Sequence, residues 1–294
     1  MNITTVLGDK PVNRMGYGAM QLAGPGVFGP PRDPAAARAV LRRAVELGVD
    51  HIDTAQYYGP DVVNDLIRDA LHPYPANLKL VTKVGARRDR AGKVLPAQRP
   101  DELREGVEEN LRSLRVERLD LVNLRLVQTA DEVAIPLEAQ LSALEDMRQE
   151  GKLDLIGLSN VGQGELQVAL EFVDVAEIQN GYSIIDRQDD EMVEFARAHE
   201  IAFVPFFPLG SAFAGGPARL AGEAAIVKVA EKQGATPTQI ALAWLLARYD
   251  RMLLIPGTGS IAHLEENMAA LEIDLDAADL AVLDRVGQRD GAAR

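Results

Sequence analysis

The sequence predicts a single-domain α/β protein folded as a closed (β/α)8 barrel, and three observations carry that prediction. Short β-rich apolar runs alternate with longer segments of helical spacing from one end to the other. There are eight such runs, and several are apolar on both alternations, as parallel strands covered on both faces must be. No linker, low-complexity stretch or shift of composition interrupts the 294 residues, so residues 1–294 read as one unit.

The first run is "RMGYGAM" (14–20), followed by "AGPGVFGPP", a glycine-rich stretch that its prolines mark as an irregular loop. No G-x-G-x-x-G lies between a strand and a helix, which disfavours an open dinucleotide-binding sheet. "DPAAARAVLRRAVELG" then predicts a helix capped by Asp33 with Pro34 at its first position. It carries Ala37, Val40, Leu41, Ala44 and Leu47 on one face and stops at Gly48. "VDHIDTA" and "LKLVTKV" are the second and third runs. "PDELREGVEENLRSL" is the next helix, with Leu103, Val107, Leu111 and Leu114 on one face and acids in the first turn, where the helix dipole favours them. "LDLVNLR", the helix "PLEAQLSALEDMRQEG", "LDLIGLS" and "VAEIQN" continue the alternation. A helix from Gln188 to Glu200, the run "IAFVPFF", a helix opening at Thr236 and Pro237, and the run "MLLIPG" complete it.

Composition limits the chemistry. The formal charge of −13 disfavours nucleic acid or an anionic membrane as a partner of the whole surface. There is no cysteine, which excludes disulfides, thiolate metal sites and cysteine nucleophiles, and four scattered histidines disfavour a histidine metal cluster. No metal is therefore expected. The N-terminus lacks a targeting pattern and no apolar run is long enough to span a membrane, so a cytoplasmic location is the expectation. What remains is chemistry by carboxylates, Tyr, Lys, Arg or a bound cofactor.

In such a barrel the chemistry gathers at the C-terminal ends of strands. The polar residues there are Asp53 and Tyr58, Lys83, Arg125, Ser159 with Asn160, and Gln179. Asp53, Lys83 and Arg125 interrupt sequence that is otherwise core, and a buried charge is costly unless paired, so these groups are expected to meet in the barrel mouth. An ammonium beside a phenol stabilises the phenolate, so Lys83 is expected to lower the pKa of Tyr58 and suit it to proton donation. Each residue alone has a structural explanation, as a cap, an interfacial aromatic or a strand-end cation; their coincidence at corresponding depth does not. His51, His72 and His199 read as structural or solvated.

"GYGAM", "IDTAQYYG", "VTKVG", "DLVNLR", "IGLSN", "EIQN", "FFPLGS" and "IPGTGS" with "HLEEN" resemble, in order, the signature stretches of the aldo-keto reductase family. The resemblance covers nearly the whole chain. It implies a TIM barrel that binds NADPH in extended form and transfers hydride to a small-molecule carbonyl substrate. It further implies that Tyr58 is the general acid, Lys83 its neighbour and Asp53 the partner of Lys83, with Tyr57 lining the substrate. Ser159, Asn160 and Gln179 would hold the nicotinamide carboxamide, and Phe206 would stack on the ring where the family usually has a tyrosine. Gly18 and Met20 would border the cofactor, and Phe207, Leu209 and Ser211 would line the pyrophosphate path. Gly257, Thr258, Ser260 and His263 would surround the adenosine 2′-phosphate, with Glu266 and Asn267 toward the adenine.

The sequence departs from the family pattern at two places. Arg125 stands where a histidine is usual, and an arginine that never loses its charge can polarise a carbonyl oxygen but not shuttle a proton. Gly257 and His263 stand where many members have a lysine and an arginine, which keeps NADH open beside NADPH. The stretches "VNRMGYGAMQLAGPGVFGPPRD" and "IPGTGSIAHLEENMAA" most resemble the bacterial pyridoxal reductase branch, and the short C-terminus favours a small substrate. A nicotinamide-sensing barrel without turnover is the competing reading.

Overall fold

The computed structural model describes residues 3–127, 135–210 and 215–287. It opens with an antiparallel hairpin of β1 (Thr4–Leu7) and β2 (Lys10–Asn13), in register from Thr4 opposite Asn13 to Leu7 opposite Lys10. The alternation then begins. Strands β3 (Tyr17–Gly18), β4 (His51–Asp53), β5 (Lys79–Arg88), β7 (Leu119–Arg125), β8 (Leu153–Ser159), β9 (Val175–Gln179) and β10 (Ala202–Phe203) pair in parallel, each with the next. A short β6 (Val94–Ala97) pairs antiparallel with the outer end of β5.

Between the strands run α1 (Pro34–Glu46), α2 (Val62–Leu71), α3 (Pro100–Leu114), α4 (Leu137–Gln149), α5 (Gln163–Leu170) and α6 (Asp190–Ala198). Helices α7 (Gly216–Gly222), α8 (Ala224–Gln233), α9 (Pro237–Arg248), α10 (Ile261–Ala269) and α11 (Ala277–Leu283) follow. The caps are those the sequence predicts. Asp33 accepts from the N–H groups of Ala35 and Ala36, and Thr236 forms a capping box with Gln239 at the head of α9. The helix expected from Gln188 to Glu200 is shorter, at Asp190–Ala198. Among the described residues no helix is long and apolar enough to cross a membrane.

The eighth run closes the barrel without forming a regular strand. Met252 bridges Phe203 on one side and Leu254 bridges Met15 on the other. The Leu253 N–H donates to Phe203, and Leu254 and Gly16 bond reciprocally with Arg14 and Leu254. The pairing ends there because Pro256 has no N–H to donate.

Two apolar layers result. The larger lies between strands and helices; the smaller fills the barrel interior with Val81, Leu121, Ala176, Ala202 and Leu253. Leu7 and Val12 join that inner layer, so the N-terminal hairpin plugs the end of the barrel opposite the strand C-termini. "LGDK" is a two-residue Gly-Asp turn signal, with Gly8 at positive φ, and the strand pattern of the opening reading passes over it.

One buried cation helps to close the ring. Arg14, 2% exposed, donates to the carbonyls of Met252, Leu246 and Tyr249, the last two at the C-terminal end of α9, where the Tyr249 carbonyl also accepts from the Met252 N–H. Removing the guanidinium takes a donor from each of these buried carbonyls. Arg14→Met is expected to lower unfolding stability by about 3 kcal/mol, measured by urea denaturation against the parent protein.

Candidate active site

The C-terminal ends of the strands open into a cleft of about 670 Å3. At its base Asp53 ends β4, and its Oδ1 lies 2.5 Å from Lys83 Nζ. Lys83 also donates to the Thr54 carbonyl at 3.1 Å, and Gln179 Nε2 donates to Asp53 Oδ2 at 2.9 Å. Both charged residues are buried, and each carboxylate oxygen has its own donor. The expected ion pair therefore forms.

Tyr57 and Tyr58 sit in the turn after β4, held by a bond from the Tyr58 N–H to the Ala55 carbonyl. Their rings meet edge to face at 5.2 Å, and Lys83 Nζ lies 5.2 Å from the Tyr58 ring centre. The phenol of Tyr58 has no hydrogen-bond partner among the described residues and lines the cleft. Its pKa lies above the ordinary value for tyrosine: burial dominates, and Asp53 adds to the rise, while Arg125 and Arg88 pull it down. This corrects the expectation that Lys83 lowers it. The ammonium is spent on Asp53, and the phenol is buried more deeply than the sequence can reveal. Tyr57 is raised in the same way, first by burial and then by Tyr58.

Arg125 lines the same cleft but does not join the Asp53–Lys83 pair. Its Nη1 donates to Ser159 Oγ at 3.1 Å, and its Cζ lies 5.3 Å from the centre of the Phe206 ring. Ser159 is its register partner on β8, so two adjacent strand ends fix one guanidinium. Arg88, absent from the expected set, also lines the cleft and donates to the carbonyls of Tyr57 and Gly92. The third run was read as ending at Val84, whereas β5 continues five residues past Lys83 to Arg88.

The model of the aldo/keto reductase family matches residues 14–288. The chain belongs to that family. Pyridoxine 4-dehydrogenase of Escherichia coli is 49% identical over 288 residues, covering 97% of this chain and 98% of its own. A thermostable aldo-keto reductase, Tm1743, crystallised with the inhibitor epalrestat, superposes with a TM-score of 0.82 at 28% identity, over 97% of this chain and 99% of that one. An aldo-keto reductase of Klebsiella pneumoniae in complex with NADPH superposes with a TM-score of 0.79 at 25% identity, over 97% and 96%. This aldo/keto reductase is accordingly a nicotinamide-dependent oxidoreductase.

The other residues that the resemblance singles out divide into three groups. Gly18, Met20, Asn160, Gln179, Phe206, Phe207, Leu209 and Gly257 line the cleft with Tyr57. Ser159 is fully buried and reaches the cleft through Arg125, and Ser211 lies outside the described residues. Around α10 several side-chain oxygens also serve the local structure. Thr258 Oγ1 accepts from the Ser260 N–H, Ser260 Oγ caps His263, and the Glu266 carboxylate accepts from Thr236. His263 is exposed on the first turn, and Asn267 is buried on the inner face.

Beneath the ion pair lies a carboxyl group that the sequence reading missed. Glu177 is 2% exposed and accepts from Asn123 Nδ2 at 2.6 Å. Burial pushes its pKa up to about 7, opposed by the Asn123 bond and reinforced by the charge of Asp53. The strand period signals it: Glu177 and Gln179 are two apart on β9 and share a face. Gly157 makes room, since a Cβ there would meet Asn123 Oδ1 at 2.3 Å.

The folded protein therefore holds a proton on Glu177 that an unfolded chain has released, over the interval from 4.5 to about 7. Because the native state binds more protons there, this group lowers stability as pH rises through that interval. Glu177→Gln keeps an acceptor for Asn123 and removes the titration. The variant's melting temperature relative to the parent is expected to rise by a few degrees between pH 5 and pH 8, read by paired thermal melts.

Proposed function

We propose that the protein reduces a small aromatic aldehyde with NADPH, and that pyridoxal is the substrate: pyridoxal, NADPH and a proton give pyridoxine and NADP+. The observation that carries the reading is the convergence of Tyr58, Arg125 and the paired Lys83 on one cleft mouth. The identity with the Escherichia coli pyridoxine 4-dehydrogenase supports the substrate, and the Klebsiella homologue crystallised with NADPH supports the cofactor.

The residues present fit a nicotinamide. Gln179 keeps Oε1 buried and without a partner among the described residues while its Nε2 is fixed on Asp53, which leaves an acceptor for the N–H groups of a carboxamide. Ser159 and Asn160 would flank that group, and Phe206 would offer a ring face, the other being taken by Arg125. The first-turn N–H groups of α10 would receive a phosphate. When bound, the nicotinamide supplies a hydride to the carbonyl carbon.

The protein's own residues manage the oxygen. Arg125 remains charged and donates to the carbonyl oxygen as negative charge grows there. Tyr58 then passes its proton to that oxygen. A phenol whose pKa burial has raised is a weak acid at rest, but an alkoxide is a stronger base than a phenolate, so the transfer is downhill once the charge has developed. Lys83, anchored by Asp53, holds a cation beside the Tyr58 ring, and Tyr57 lines the substrate side.

Tyr58→Phe is expected to lower kcat with pyridoxal by about 10²-fold or more, while NADPH binding, followed by fluorescence titration, stays near that of the parent. Turnover like the parent's would overturn the acid assignment. The set expected at the phosphate end holds neither lysine nor arginine, so His263→Arg is expected to reduce KM for NADPH several-fold and leave KM for NADH unchanged in steady-state assays.

A further inference from the structure

We propose that Arg125 determines specificity by selecting aromatic aldehydes that carry a hydroxyl ortho to the formyl group, grasping the carbonyl oxygen and the ring oxygen with one guanidinium. The inference rests on the reductase reading above and names the substrate class of that site.

Three observations lead to it. First, Arg125 is the cleft cation whose donors are least used. Lys83 is bound to Asp53 and Thr54, and Arg88 spends Nε on Tyr57 and Nη1 on Gly92, whereas among the described residues the Arg125 side chain makes one hydrogen bond, to Ser159 Oγ. Among the described residues no carboxylate forms an ion pair with it. A half-buried guanidinium with no counter-ion among the described residues favours an anionic or strongly accepting ligand group.

Second, it is rigidly placed. Arg125 pairs in register with Ser159, its Cζ lies 5.3 Å from the centre of the Phe206 ring, and the backbone of β5 packs against it so closely that a Cβ on Gly85 would meet the Arg125 carbonyl at 2.5 Å. Third, its field covers both tyrosines at the mouth, lowering the phenol pKa of Tyr57 and of Tyr58 against the rise that burial causes. It is therefore close to where a carbonyl oxygen must sit to meet Tyr58.

The chemistry follows from the shape of the side chain. A histidine offers one N–H to one oxygen, whereas a guanidinium presents two parallel donors that match a pair of neighbouring oxygens. An ortho-hydroxy aldehyde is such a pair. The formyl group acidifies the adjacent hydroxyl, and a cation beside it stabilises the anion further. Pyridoxal has this arrangement.

The test is NADPH oxidation with salicylaldehyde, 3-hydroxybenzaldehyde, 2-methoxybenzaldehyde and benzaldehyde, using the parent protein, Arg125→Met and Arg125→Lys, with NADPH titration to verify that each variant is folded. For the parent, kcat/KM for salicylaldehyde is expected to exceed that for its meta isomer and its methyl ether by about tenfold or more. In Arg125→Met the ratio should collapse toward one, with Arg125→Lys between the two. Equal ortho and meta values in the parent, or a ratio that survives Arg125→Met, would overturn the proposal. Silence of the parent on all four aldehydes would overturn the reductase reading, and this inference with it.

Discussion

The ion pair between Asp53 and Lys83 is the constraint from which the rest of the mouth is arranged. Two buried charges repay their desolvation only if the remaining donors and acceptors are also met, and here they are: Thr54 takes a second proton of Lys83, and Gln179 satisfies the second oxygen of Asp53. Gln179 comes from β9, which β7 and β8 separate from β5 in the sheet order, so its bond to Asp53 crosses the barrel interior rather than passing along the wall. The pair thus ties opposite sides of the barrel at the level where the substrate would enter. It also orients Gln179, leaving its carbonyl oxygen as the orphan acceptor.

A second polar layer lies deeper, where Asn123 and Glu177 face each other across the space that Gly157 leaves. Below it the interior becomes apolar, and Leu7 and Val12 of the N-terminal hairpin seal the end. The barrel interior therefore grades from charged at the mouth, through a titratable middle, to a dry plug. A carboxyl group in that middle layer feels both members of the ion pair, Asp53 raising its pKa and Lys83 lowering it.

Much of this was legible in the sequence, and the failures have physical causes. Asp53, Lys83 and Arg125 announced themselves as charges in apolar runs, and the structure brings all three to the cleft. Glu177 met the same criterion but lay inside its run rather than at the end, where attention to strand termini does not reach. The eighth run was read as a strand from its apolar residues alone; its pairing is reduced to bridges, and Pro256 has no N–H to extend them, although Gly257 still packs against Gly18. Around α10 the types of Thr258, Ser260 and Glu266 suggested ligand contacts; their oxygens also accept from a turn N–H, a helix-cap N–H and the Thr236 hydroxyl, which the sequence did not reveal and which does not use the hydroxyl protons of Thr258 and Ser260. Residue type reveals hydrogen-bonding capacity; only packing reveals whether that capacity is already used.

The same distinction governs the phenol. An ammonium near a tyrosine suggests a lowered pKa, but that inference presumes an uncommitted charge and a solvated ring. Here Asp53 neutralises Lys83, and Asp53 itself raises the Tyr58 pKa, second only to burial. The charges that favour the phenolate are those of Arg125 and Arg88. Acid strength at the mouth is thereby a balance: Asp53, fixed by Lys83, works with burial to hold the proton on Tyr58, while the two arginines oppose them. On a chain whose formal charge is −13, those two guanidinium groups place positive charge in the cleft where negative charge must develop. An arginine at the end of β7 supplies that bias at every working pH, whereas a histidine there would supply it only when protonated.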